Sequence, residues 1–375
     1  MKYLIKISPC KGPAAKRSER SLTMALVSLA AVSAIALPAM LAGQAGSADA
    51  QVGLINPAGA AFNPATAKAY VVDAGKGVVN ISDDSAGATV AVKVGAGPVA
   101  VAIDKANDRA YVANAEDGTV SVLDGRTDAV LATVPVGSHP YSIAADSAAG
   151  RIYVTRTFSD EIMMIDAATN SVRSIKLGSR DLIAAAPGTH TVYLLGYEGG
   201  NLAVLNGATN QFTETSVGMH AWGMALNEKT GTLYIARPGS AEVTALDADG
   251  KTLKAIPTGR IPCFVAVNPR TNTVYVANYA DDSVTVIDGA TSRVVAIVEV
   301  GKRPEALAVD AEHDRIYVAN TQGNTVTVID GASNRAVETL IAGKAPYALA
   351  VNPGAGKLHV ANLDAPSFAI LDVRP

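Results

Sequence analysis

Four arginines, two histidines, one tyrosine and the sole tryptophan carry most of the chemistry this sequence offers. They are Arg156, Arg180, Arg237 and Arg303, His139 and His220, Tyr141 and Trp222. An arginine fork matches a carboxylate or phosphate, and a Tyr or Trp ring stacks on a planar ligand. If one surface gathered these groups, it would bind an anion. A second chemistry is open to the same residues. His220 or His139 would act as a general base beside Asp181 or Glu305, as in a lyase or hydrolase. Metal chemistry is poorly provided for, since two histidines without an evident third ligand do not make a zinc site. There is no C-x-x-C-H haem attachment sequence, no zinc Cys/His spacing and no EF-hand loop, so no metal or cofactor is expected.

These residues stand out because the chain around them repeats. A Tyr-led strand recurs at Tyr70 (YVVD), Tyr111 (YVAN), Tyr153 (YVTR), Tyr193 (YLLG), Tyr234 (YIAR), Tyr275 (YVAN) and Tyr317 (YVAN), and His359 (HVAN) leads an eighth copy. Successive spacings are 41, 42, 40, 41, 41, 42 and 42 residues. Each copy has four short apolar segments. In the seventh they are Ala306–Asp310, Arg315–Asn320, Thr325–Asp330 and 336–342, with Asp330-Gly331 as a turn dipeptide. Val326 and Val328 alternate with Thr325 and Thr327, the period of a half-buried strand. Four strands in about 40–45 residues, repeated many times, is the pattern of a β-propeller blade. The Asp residues ending third strands (Asp124, Asp166, Asp247, Asp288, Asp330) read as turn formers rather than as calcium ligands.

The stretches Tyr111–Thr127 (YVANAEDGTVSVLDGRT), Tyr275–Thr291 (YVANYADDSVTVIDGAT) and Tyr317–Ser333 (YVANTQGNTVTVIDGAS) resemble the YVTN-family β-propeller repeat. So do the Val-Gly-x-x-Pro joins at Val136–Pro140 and Val300–Pro304. The resemblance implies an all-β propeller of secreted, surface or periplasmic type. It says little of activity, because propellers host many unrelated functions. Eight copies predict eight four-stranded blades, with seven as the alternative if a terminal copy is frayed. The last copy ends at Pro375 without a fourth strand, and Val52–Ile55 is expected to pair with Phe368–Asp372 and close the ring.

In a four-stranded blade, the join into the first strand and the second-to-third loop lie on one face. Comparing the eight copies there shows where residues leave their own consensus. Before the usual Pro the chain has His139, Arg180, His220 and Arg303, and after it Tyr141, Trp222, Cys263 and Glu305. At the end of the second strand, Arg156 and Arg237 replace the usual Asn. Asp181 and Tyr197 depart in blade four. The departures thus fall mainly on blades three to five of one face, where loops on a rigid scaffold carry binding residues. Cys263 reads as a buried or inert thiol, and His359, in place of Tyr, as a packing residue.

Residues 1–50 read as an export signal. Six basic residues precede the apolar run Leu22–Ala42, and Ala48-Asp49-Ala50 offers a cleavage site that leaves Gln51 first. Without an Arg-Arg pair the general secretory route is favoured; an uncleaved anchor is the alternative, since the run is long enough to span a bilayer. Residues 51–375 form a single propeller domain that needs no membrane insertion once the signal is removed, and a monomer in the periplasm or outside the cell is expected. Residues 1–50 hold two acids, so 25 basic and 32 acidic side chains remain beyond them, a net of −7. That charge argues against a wide nucleic-acid track. A small anion, a protein partner, or a single strand held by Arg and aromatic platforms all fit. Cys10 falls in the signal, so Cys263 has no partner for a disulfide.

Overall fold

The structure, a computed structural model, describes residues 59–364 and 368–374. It is an eight-bladed β-propeller. Seven antiparallel sheets of four strands span 60–93, 98–135, 140–176, 182–216, 223–257, 262–299 and 304–341. The eighth, at 346–372, has three strands among the described residues. The export signal and the closing strand Val52–Ile55 lie outside the described residues. Among those described, the only helix is the turn Pro238–Ser240, and no helix is long and apolar enough to cross a membrane.

Within each blade the chain runs strand by strand from the axis to the rim. In blade 7 the strands are Pro304–Asp310, Arg315–Asn320, Thr325–Asp330 and Arg335–Ile341. The second strand is almost wholly buried and the fourth almost wholly exposed. Third strands end in Asp residues that hold the next turn: Asp330 Oδ1 accepts from the Ser333 N–H at 2.8 Å and from its hydroxyl at 2.6 Å. Asp124 and Asp288 do the same with Thr127 and Thr291. These hydrogen bonds favour the ionised form and hold all three carboxyls below their usual range.

A blade is apolar on both faces, so each face needs a neighbour. Eight apolar clusters form, one for each pair of neighbouring blades, and they include a cluster between blades 8 and 1. Most are built on Val, Ile, Leu and Tyr. Among the described residues the cluster between blades 8 and 1 is thin: Ala60, Val71, Ala348, Ala350 and Ala361, edged by Phe62, Tyr347 and Phe368.

A polar exchange reinforces this last join. Elsewhere the second-strand Tyr reaches the next blade over a small residue: Tyr193 Oη donates to Ala248 O at 3.0 Å, and a Cβ at Gly207 would meet Tyr153 Oη at 2.7 Å. At three joins a first-strand Asn donates to an Asp or Asn in the next blade's first turn, as Asn63 does to Asp108 at 2.7 Å. Blade 1 interchanges these positions. Its first turn holds Ala67 where blades 2, 6 and 7 hold Asp108, Asn272 and Asp314, and Asp84 stands where blades 2 to 7 keep Gly or Ala. The Asp84 carboxylate fills the space over which a Tyr would lie, and the shorter His359 takes that Tyr's place. Asp84 Oδ2 accepts from Asn352 Nδ2 at 2.7 Å and lies 2.9 Å from His359 Nε2. Burial pulls the His359 pKa below its usual value, against the opposing pull of Asp84.

Asp84→Ala would leave Asn352 Nδ2 and His359 Nε2 buried without acceptors and should cost about 2–4 kcal/mol in chemical denaturation. The triple variant Ala67→Asp/Asp84→Gly/His359→Tyr rebuilds the ordinary join and should regain most of that loss. Because the folded state keeps His359 neutral while the unfolded chain binds a proton near pH 6.5, the wild type should lose stability as pH falls through about 6.5.

Candidate functional site

The regular blades explain the irregular ones. In blades 2, 6 and 7 the Asn ending the second strand donates to two hydroxyls on the third. Asn320 Nδ2 reaches Thr325 Oγ1 at 3.1 Å and Thr327 Oγ1 at 2.9 Å. Asn114 and Asn278 repeat the pattern. A join glycine lies against each Asn; a Cβ at Gly301 would come within 2.6 Å of Asn320.

In blades 3 and 5 both halves of this arrangement change together. Arg156 and Arg237 replace the Asn, and Glu161 and Glu242 replace the Thr or Ser five residues on. Arg156 Nη2 lies 3.3 Å from Glu161 Oε2 and donates to Ser159 Oγ at 2.8 Å. Arg237 Nη1 donates to Glu242 Oε1 at 2.6 Å. Gly137 and Gly218 again make room, at φ 86° and 89°, so the guanidinium lies along the join. Each arginine is therefore neutralised within its own blade.

Blade 4 is different. Arg180 is buried in the join entering it, where Nη1 donates to Ser179 O at 2.8 Å and Nη2 pairs with the Glu214 carboxylate. Burial lowers the Arg180 pKa despite Glu214. The adjoining Asp181 is also buried, and its Oδ2 accepts from the Tyr197 N–H at 2.8 Å. Burial raises the Asp181 carboxyl above its usual range. Thr155 Oγ1 donates to Asp181 O at 3.0 Å and ties blade 3 to blade 4. Tyr141, beside Asp181, is buried, and burial with that charge pushes its phenol up.

Tyr197 is the centre of this region. Its ring centroid lies 5.4 Å from that of His220 and 6.3 Å from that of Trp222. Tyr197 lines a cleft of about 520 Å³ between blades 3 and 4, whose other residues include Phe158, Arg180, Phe212 and Glu214. Trp222 lines the axial channel, a cavity of about 190 Å³ walled by first strands. The two rings thus stand between cleft and channel. Four buried polar atoms around Tyr197 have no hydrogen-bond partner, Arg180 Nε, Tyr197 Oη, His220 Nδ1 and Trp222 Nε1; on the same face Arg156 Nε and Arg237 Nε also lack one. Three of the four around Tyr197 can only donate or readily donate, which suits an oxygen acceptor.

The anticipated face therefore divides. Arg180, His220 and Trp222 come together with Asp181 and Tyr197. Arg156 and Arg237 close on their own blades. His139 is exposed, with its carbonyl accepting from Thr157 N at 3.0 Å. Arg303 sits between blades 6 and 7, its guanidinium 5.2 Å from the Tyr279 ring centre. Among the described residues, no group of three or more His, Cys, Asp or Glu is arranged to hold a metal ion. Cys263 Sγ lies 3.2 Å from Pro304 O, and burial pushes its thiol pKa up. Near it, burial raises Glu305 to about 7.

Sequence comparison across the copies did not single out Phe158, Phe212 or Glu214. Glu214 lies on the exposed outer strand Phe212–Ser216, where the copies vary freely, so nothing marked it. Glu161 and Glu242 did carry a signal, the joint change of residues five apart.

No protein-family model and no curated protein matches this sequence. Solved structures do. The chain is similar to the dihydro-heme d1 dehydrogenase NirN in complex with DHE, at 15% identity over 81% of this chain and 70% of that one, with a TM-score of 0.70. It is also similar to Kuenenia stuttgartiensis hydrazine synthase, at 16% identity over 89% and 99% of the two chains, with a TM-score of 0.57. At these identities the likeness establishes the fold and leaves the activity open.

Glu305 yields a pH test. The folded state holds its proton up to about pH 7, whereas the unfolded chain releases it near the usual 4.5. Stability should fall as pH rises through that window and level off above it. Glu305→Gln should remove this fall. It should raise stability at pH 8 by about 1–3 kcal/mol relative to wild type, with the gain shrinking to nothing near pH 4 in urea titrations.

Proposed function

We propose that this chain is an exported binding propeller of the YVTN-repeat type, with residues 51–375 as its working domain and the periplasm or cell exterior as its location. Its ligand carries an anionic or strongly accepting oxygen and sits beside Tyr197, between the cleft of blades 3 and 4 and the channel lined by Trp222. The observation that supports this reading is the group of unspent donors, Arg180 Nε, Tyr197 Oη and Trp222 Nε1, around one aromatic cluster. A buried donor without an acceptor costs about 1–3 kcal/mol, so a ligand that supplies acceptors relieves a penalty already present in the fold. Arg156, Arg237, His139, Tyr141 and Arg303 belong to the surrounding face rather than to the ligand contact.

A second reading places an enzyme at the same mouth, with His220 as general base. The Glu305 carboxyl, near half-protonated at neutral pH, favours it as an available proton donor. That reading requires a turnover lost in both His220→Ala and Glu305→Gln.

The binding reading is tested by calorimetry against small carboxylates, inorganic phosphate and a dT15 oligonucleotide. Arg180→Ala and Tyr197→Phe should each weaken the ligand found by tenfold or more, as loss of a charged or buried hydrogen bond implies. Arg270→Ala, in a first-to-second-strand turn, should leave affinity unchanged. Equal losses in all three variants, or no binding by any class, would count against it.

A further inference from the structure

The cleft between blades 3 and 4 bears on what the ligand is and how it enters, and this inference rests on the binding reading above. Arg180 is buried to 4% exposure, and a charge so placed requires a counter-ion. Its ion pair is with Glu214, from the rim strand of blade 4, a carboxylate 48% exposed at the cleft edge, while the neighbouring buried Asp181 adds a second negative charge. The pair is lopsided: a buried cation is met by a half-exposed anion. Phe212 lies two residues before Glu214 on the same strand and lines the same cleft. Across the cleft stands Phe158, 81% exposed and held at φ 60°, a backbone conformation a bulky residue rarely adopts. The cleft volume of about 520 Å³ is that of a small-molecule site.

We propose that Glu214 is an internal stand-in for the ligand's own carboxylate, and that the cleft takes a small organic carboxylate with an aromatic or apolar body. The ligand's carboxylate would displace Glu214 from Arg180 and accept also from the unpartnered Arg180 Nε and Tyr197 Oη. Its body would lie between Phe158 and Phe212. Released Glu214 would return to water at little cost, being half exposed already. The exchange conserves charge at Arg180, so the buried guanidinium is never left unpaired. It also sets selectivity. A neutral ligand cannot replace Glu214 at Arg180, and because Asp181 and Glu198 also line the cleft, the ligand's carboxylate must take Glu214's own place rather than a further one.

The competition gives a sign that a merely attractive site would not. Removing Glu214 should strengthen binding, whereas removing any ordinary contact weakens it. Phenylacetate, titrated by calorimetry into wild type, Glu214→Gln and Glu214→Asp, is the probe. Glu214→Gln should bind at least tenfold more tightly. Glu214→Asp, whose carboxylate is drawn back, should shift in the same direction. Phe158→Ser should weaken binding several-fold in either background, and neutral phenylacetamide should gain nothing from Glu214→Gln. Circular dichroism and melting temperature establish that each variant is folded. Phenylacetate binding that is equal or weaker in Glu214→Gln would overturn the exchange while leaving the binding reading intact. If no variant binds phenylacetate, the exchange and the carboxylate class fall together; the binding reading then stands or falls on its own phosphate and oligonucleotide titrations.

Discussion

A blade of this protein has two apolar faces and can bury neither alone. The ring must therefore close, and every interface must be supplied, the last as well as the first. Seven clusters meet that need largely with branched side chains and a Tyr that reaches into the next blade. Among the described residues the eighth is built mostly on alanine, and the Asp84 carboxylate meets Asn352 and His359 across it. Asp84 occupies a position that is Gly or Ala in blades 2 to 7, Ala67 one that is Asp or Asn in blades 2, 6 and 7, and His359 shortens a Tyr. These three changes make sense only together, as one solution to closing the ring.

The same logic separates two kinds of irregularity around the mouth. Where Arg156 and Arg237 replace Asn, Glu161 and Glu242 change with them five residues away, and the charge is settled within one blade, although the Nε of each arginine stays unpartnered. Around Tyr197 the departures reach across blades: its ring meets those of His220 and Trp222, Thr155 of blade 3 donates to Asp181 O, and four polar atoms are left unpartnered. A repeat that is compensated locally keeps the scaffold. One that is not compensated marks a place where something other than the scaffold is being served.

Much of the fold was legible because it is periodic. The Tyr-led spacing and the alternation in Thr325–Asp330 located strands that the structure places at the same residues. The fourth strand of blade 7 shifted by one residue, as expected of an exposed element with weak patterning. The site was less legible. Column comparison finds a residue that departs but cannot say which way its side chain turns. Arg156 and Arg180 look alike in sequence, yet one lies along its own join and the other is buried beneath a cleft. Glu214, which neutralises Arg180, is 34 residues away and sits on a variable rim strand. His139 and His220 hold equivalent positions with positive φ, and only His220 has an aromatic neighbour to pack on.

The central claim is that ligand binding belongs to the uncompensated departures of blades 4 and 5, and the chain carries its own reporter there. Trp222 is the only tryptophan and stands 6.3 Å from Tyr197. Its intrinsic fluorescence, followed as a bound ligand is titrated in, reports on the surroundings of this one spot. A saturable change in Trp222 emission that tracks the calorimetric isotherm is the predicted result. Binding seen by calorimetry with unchanged Trp222 emission would place the ligand on another part of the propeller and contradict the claim.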